Sequence, residues 1–206
     1  MSMWVAEIQN QRRVLLSMGV GALSAFLYAP AFGVDVDPTA QQIQSAFEQG
    51  KAAAQKKMSP ESFYVRFGVA DKVQSNGFLI TKIGALSAMA THMALRGMQP
   101  NEADVTHLLE DTTMLINITI FGNQPDFAVD SYMVLDQGGK TIKPVTVRFD
   151  AQASRSVVWP KSPRFKAKVV ARFKYADFDP KGKTVVTVYS GTGEVSNFPL
   201  NFLEID

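Results

Sequence analysis

Residues 164–174 alternate with a single exception. Arg164, Lys166, Lys168, Arg172 and Lys174 fall on one side, Phe165, Ala167, Val169, Ala171 and Phe173 on the other, and Val170 interrupts the cationic set. A period of two is the pitch of a pleated strand, whose successive side chains point to opposite faces. The segment is therefore expected to be a strand with one wet face and one face against a core. Same-face neighbours then stand about 7 Å apart, so that five cations line one surface.

The same period governs the chain from residue 112 onward. Met114, Ile116, Ile118 and Ile120 alternate with polar neighbours, and Val145, Val147 and Phe149 repeat the pattern. Strands are predicted over 112–120, 127–135, 141–150, 165–175, 184–190 and 194–205, separated by Gly-, Asn-, Asp- and Pro-rich turns. Short alternating strands of this kind pair antiparallel. The leading architecture for residues 112–206 is an immunoglobulin-like β-sandwich, and a partly open barrel is the second, although no Cys-Trp-Cys signature accompanies it.

The first half reads differently. Residues 39–57 are rich in helix formers, with Asp37-Pro38 as the start and a thin apolar stripe at Ile43 and Phe47, to which Ala46 and Ala54 are candidate additions, that suits a surface helix or spacer. Phe63, Val65 and Phe67 mark a strand within 62–69, and residues 78–96 read as a buried helix ending at Gly97, with a strand as the alternative for its first few residues. A further short helix runs from residue 100 to about 111 with Val105, Leu108 and Leu109 inward. The fold class is thus α+β: a C-terminal antiparallel sandwich with two or three helices packed on it. The organisation is a leader over 1–31, a linker or surface helix over 32–60, a mainly helical subdomain over 61–111 and the sandwich over 112–206.

The leader has three zones. Arg12 and Arg13 precede an uncharged apolar run over 14–28, and Ala29-Pro30-Ala31 offers the small side chains that a signal peptidase accepts. The run Arg12-Arg13-Val14-Leu15-Leu16 resembles the bacterial twin-arginine signal, which implies export of an already folded protein. It departs from that pattern at Gln11, where Ser or Thr is usual, and at Ser17, where Lys is common. Cleavage after Ala31 gives a periplasmic or secreted protein. An uncleaved leader gives a membrane anchor with the same domain outside the cytoplasm, because the arginines stay inside.

Composition narrows the chemistry. The chain has no cysteine, which excludes disulfides, thiolate metal sites and cysteine nucleophiles. Its formal net charge is only +2, but residues 140–183 hold twelve Lys or Arg against three acids, whereas residues 34–139 hold seven against twelve. A cationic face built on Arg164, Lys166, Lys168, Arg172 and Lys174, with Trp159 in a neighbouring loop, suits an anionic lipid, a glycan or another envelope protein. Nucleic acid fits poorly, since clustered stacking aromatics are missing. The plainer account is that lysines guard an edge strand against pairing with other chains or supply the polar outer face that strands need anyway, with Lys140, Lys143 and Arg148 meeting the chain's own acidic half. The function expected is a non-catalytic interaction or structural protein of the bacterial cell envelope, without a cofactor. The alternative is a small periplasmic hydrolase or metal-dependent enzyme centred on His107, which has Asp104 and Asp111 at helical spacing. His92, on an apolar helix, reads as a core or boundary residue.

Overall fold

The computed structural model describes residues 34–69, 71 and 73–205, and the leader expected over 1–31 lies outside them. The described residues form an α+β arrangement of three α-helices and two antiparallel sheets. The helices are α1 (Ala40–Gln55), α2 (Lys82–Ala94) and α3 (Glu102–Glu110). The strands are β1 (Val65–Gly68), β2 (Asn76–Ile80), β3 (Thr113–Gly122), β4 (Tyr132–Gln137) and β5 (Lys140–Ile142). They continue with β6 (Thr146–Phe149), β7 (Ser154–Arg155), β8 (Phe165–Lys174), β9 (Lys183–Tyr189) and β10 (Val195–Asn201). None of the described helices is long and apolar enough to cross a membrane.

One sheet has the order β1-β2-β3-β8-β6, with β7 also pairing β8, and the other β10-β9-β4-β5. The chain passes from one sheet to the other after β3, β5 and β8. Both sheets bury their facing sides in one cluster. Met114, Ile116, Ile118, Val169, Ala171 and Phe173 come from the first sheet, and Met133, Leu135, Val186 and Val188 from the second. Full burial of an Ile or Phe side chain contributes roughly 1.5–3 kcal/mol, so the alternation seen in the sequence is what holds the sheets together.

Several boundaries differ from the sequence reading. The sheet is not confined to residues beyond 112, because β1 and β2 extend it from the first half. The segment 78–96 divides at Thr81. Its hydroxyl caps α2 by accepting from the Gly84 N–H at 3.0 Å, while residues 76–80 pair with β3. A uniformly apolar run hides such a boundary, since strand and helix burial look alike without polar punctuation. Segment 127–135 is a turn before it is a strand: Phe127 and Ala128 plug the core from a turn, and β4 begins at Tyr132. The 141–150 segment is two strands in different sheets, broken at Pro144, and Val145 is turned outward at 50% exposure.

The helices pack tightly on each other. Thr39, not Asp37, caps α1 through a reciprocal pair with Gln42. The buried side of α1 is Ala46, Gly50 and Ala53 rather than a broad apolar stripe. That is why the stripe reads as weak: small residues allow a close helix crossing but score little as hydrophobes. Thr91 of α2 donates its hydroxyl to the carbonyls of Gly50 and Ser87, at 3.1 and 2.8 Å. Gly97 ends the second helical segment in the left-handed region, with φ of 71°.

Candidate functional site: the basic sheet face

Strand β8 is an interior strand. It pairs with β3 along its whole length and with β6 and β7 on its other side. The account of its lysines as guards of a free edge is therefore overturned, because no free edge exists there. The alternation itself holds. Lys166, Lys168, Arg172 and Lys174 are exposed, and Ala167, Val169, Ala171 and Phe173 are buried. Arg164 is exposed just before the strand, where its backbone N–H donates to Asn123 Oδ1 at 3.2 Å.

The interruption at Val170 is filled from outside the strand. Arg148 of β6 is the register partner of Val170 and so stands on the same face. This cation was missed as a site residue, since a neighbour some 20 positions away in sequence leaves no local signal. The other flank of the row is uncharged: Thr113, Leu115, Asn117, Thr119 and Phe121 of β3 pair with Lys174, Arg172, Val170, Lys168 and Lys166. Cross-strand neighbours stand about 5 Å apart and same-strand neighbours about 7 Å.

Two carboxylates border the face. Asp150 Oδ2 accepts from the Lys168 backbone N–H at 2.9 Å, at the end of β6. Asp111, just after α3, accepts from Arg172 Nη1 at 2.8 Å and from both the backbone N–H and the hydroxyl of Thr113. Partial burial pushes the Asp111 pKa up, but the Thr113 and Arg172 hydrogen bonds and the arginine charge outweigh it and hold the group below the ordinary aspartate value. Arg172 is thus occupied. Arg148, Lys166, Lys168 and Lys174 form no ion pair among the described residues.

Trp159 does not join the row. Its ring, 45% exposed, lies under the Arg155 guanidinium at 4.3 Å, and Arg155 pairs in register with Phe165. Arg155 therefore shares the side of Phe165, opposite that of Lys166. Lys140, another member of the basic stretch, donates to the Asp177 carbonyl at 3.0 Å.

The arrangement around His107 is dispersed. The imidazole is exposed on α3, and the Asp111 carboxylate is turned to Arg172 and Thr113. No group of three His, Asp or Glu side chains able to hold a metal is present among the described residues. His92 is exposed near the end of α2 rather than in the core, because Thr91 and Ala88 occupy the buried side.

No protein-family profile matches the chain, and no curated protein is significantly similar to it.

Proposed function

We propose that the protein is an exported, non-catalytic binding component of the bacterial cell envelope, whose basic sheet face takes a phosphate- or carboxylate-bearing partner. The observation that carries this reading is the row of Lys166, Lys168, Arg148 and Lys174, exposed and without ion pairs among the described residues. Cations held at about 5–7 Å on a rigid sheet meet a repeating array of anions better than a single compact one. Anionic lipid headgroups and acidic glycans present such arrays. Binding of this kind is a sum of weak, screened contacts and falls with added salt.

The rest of the proposal concerns setting and fold. The three-zone leader supports export, hence a periplasmic or secreted location, with removal after Ala31. Two antiparallel sheets over one core, with three passages between them, support a β-sandwich, and an immunoglobulin-like arrangement is the form of sandwich proposed.

The experiment is co-sedimentation with vesicles of phosphatidylcholine alone or with phosphatidylglycerol, and with the polyuronate alginate as a separate arm. Phosphatidylglycerol-dependent or alginate-dependent binding that is lost in Lys166→Glu/Lys168→Glu supports the reading and tells lipid from glycan. Binding to neither, or binding unchanged in the folded double variant, overturns it. N-terminal sequencing of the exported protein checks the leader: an intact Met1 contradicts cleavage.

A further inference from the structure

Lys82 is the charged residue buried among the described residues, at 7% exposure. It occupies the first position of α2, where the positive end of the helix dipole disfavours a cation. Lysine is rarely taken below the surface unless its charge is met. Here the Nζ donates to the Leu109 carbonyl at the end of α3 and lies 5.7 Å from the centre of the Tyr175 ring. An ammonium carries three N–H donors, and no carboxylate pairs with this one among the described residues. Its partner Tyr175 is 6% exposed, with a hydroxyl that still reaches solvent. Burial and the charge of the Asp111 carboxylate both raise the Tyr175 pKa, so the hydroxyl stays protonated well beyond neutral pH.

Both side chains open into one cleft. It has a volume of about 680 Å³, with Val36, Leu109 and Ala176 on its walls and Lys174, Asp37 and Glu110 also lining it. Sites for small molecules span roughly 300–1,000 Å³ and combine apolar walls with a few convergent polar groups. Behind Lys82 and Tyr175, a second pocket of about 160 Å³ reaches the Asp111–Arg172 pair.

We propose that this cleft binds a small amphipathic anion, its single carboxylate or phosphate head on Lys82 and the Tyr175 hydroxyl and its apolar part against Val36, Leu109 and Ala176. The head supplies an acceptor for the N–H groups that the ammonium has left after the Leu109 carbonyl, and for the phenol in place of solvent. Asp37 and Glu110 repel a polyanion, so the cleft selects a compact, singly headed ligand, unlike the open array on the sheet face. Lys174 is the residue common to the two surfaces. The inference stands apart from the basic-face reading, because it rests on a buried cation in a concave site.

The test is calorimetric titration of the full chain with decanoate and, separately, decyl phosphate, with decanol and inorganic phosphate as tail-only and head-only probes. One of the two amphiphiles is expected to bind at least about ten-fold more tightly than either control, the scale of one charge-assisted hydrogen bond. Lys82→Met is expected to abolish that advantage, and Lys166→Glu/Lys168→Glu to leave it intact. Ala176→Trp fills the cleft from its exposed wall without touching Lys82, and decides the matter should Lys82→Met fail to fold. The proposal is overturned if the folded protein binds neither amphiphile, or if folded Lys82→Met or Ala176→Trp binds as the parent does. It is equally overturned if only the sheet-face variant loses binding, which would place the ligand on the row of cations.

Discussion

Arg172 Nη1 donates to Asp111 Oδ2 at 2.8 Å, tying an interior strand of the larger sheet to the residue that ends α3. The contact joins an acidic helical region to a basic strand across 61 residues of chain. It also removes one member of the cationic row from service as a free charge.

Replacing Asp111 with Asn tests that tie through pH. The folded carboxyl titrates below its ordinary value, so its stabilisation is complete above the unfolded pKa of about 4 and is lost as pH falls through the folded pKa. Both partners are substantially exposed, at 44% and 41% of their side chains, which limits the effect. Urea unfolding at pH 7 should show a loss on the order of 1 kcal/mol. The difference from the parent should shrink at pH 3, and a pH-independent difference would contradict the assignment.

Gly50→Ala should lower the melting temperature. Inside an ordinary helix this change gains up to about 1 kcal/mol. Here the added Cβ would stand 2.5 Å from the Ser87 carbonyl oxygen and 2.6 Å from Ala90 Cβ. Overpacking of that kind costs about 1–3 kcal/mol and outweighs the propensity gain. Calorimetry that found the variant more stable would show that α1 and α2 do not cross this closely.

Phe127→Ala should be as damaging as a core-strand truncation although the residue lies in a turn. The ring is 1% exposed and rests directly on Gly122, which has no side chain to obstruct it. A loss of about 3–5 kcal/mol is expected in denaturant unfolding. A loss below 1 kcal/mol, as for a surface-loop residue, would place the ring outside the core.

Arg148→Glu should weaken binding to phosphatidylglycerol vesicles as much as Lys168→Glu does. A basic side chain near an anionic membrane contributes about 1 kcal/mol, so reversal of either charge should lower affinity by roughly ten-fold or more. Arg155→Glu, on the side of the strand away from the row, should have little effect. Equal losses from Arg155 and Arg148 would mean that net charge, rather than the face, governs binding.

Local signals in the sequence carried much of the secondary structure. The period-two runs at 113–120 and 165–174 became β3 and β8 because side-chain alternation is a property of a single strand. Turn and cap residues such as Gly97 are legible for the same reason. The point at which 76–94 passes from strand to helix was not, since both elements there are buried and apolar. Nor was the part of Gly50 and Ala53 beside Ala46 in the helix contact, in which small size rather than hydrophobicity makes the fit.

The candidate sites divide along the same line. Four cations of the row, Lys166, Lys168, Arg172 and Lys174, could be read from spacing, and all four are exposed on one face. That Arg148 stands beside Val170, that Arg172 is claimed by Asp111, and that Trp159 sits with Arg155 on the other side were decided by strand pairing. In the sequence Lys82 is merely one polar residue in an apolar stretch. It is buried because α2 starts against the end of α3 and against Tyr175. Period and composition are set by neighbours along the chain, so the sequence alone determined an alternating, one-sided basic strand in an α+β fold. Which charges remain free, and which lysine goes below the surface, depends on residues brought together from tens of positions apart, and only the tertiary structure decided those.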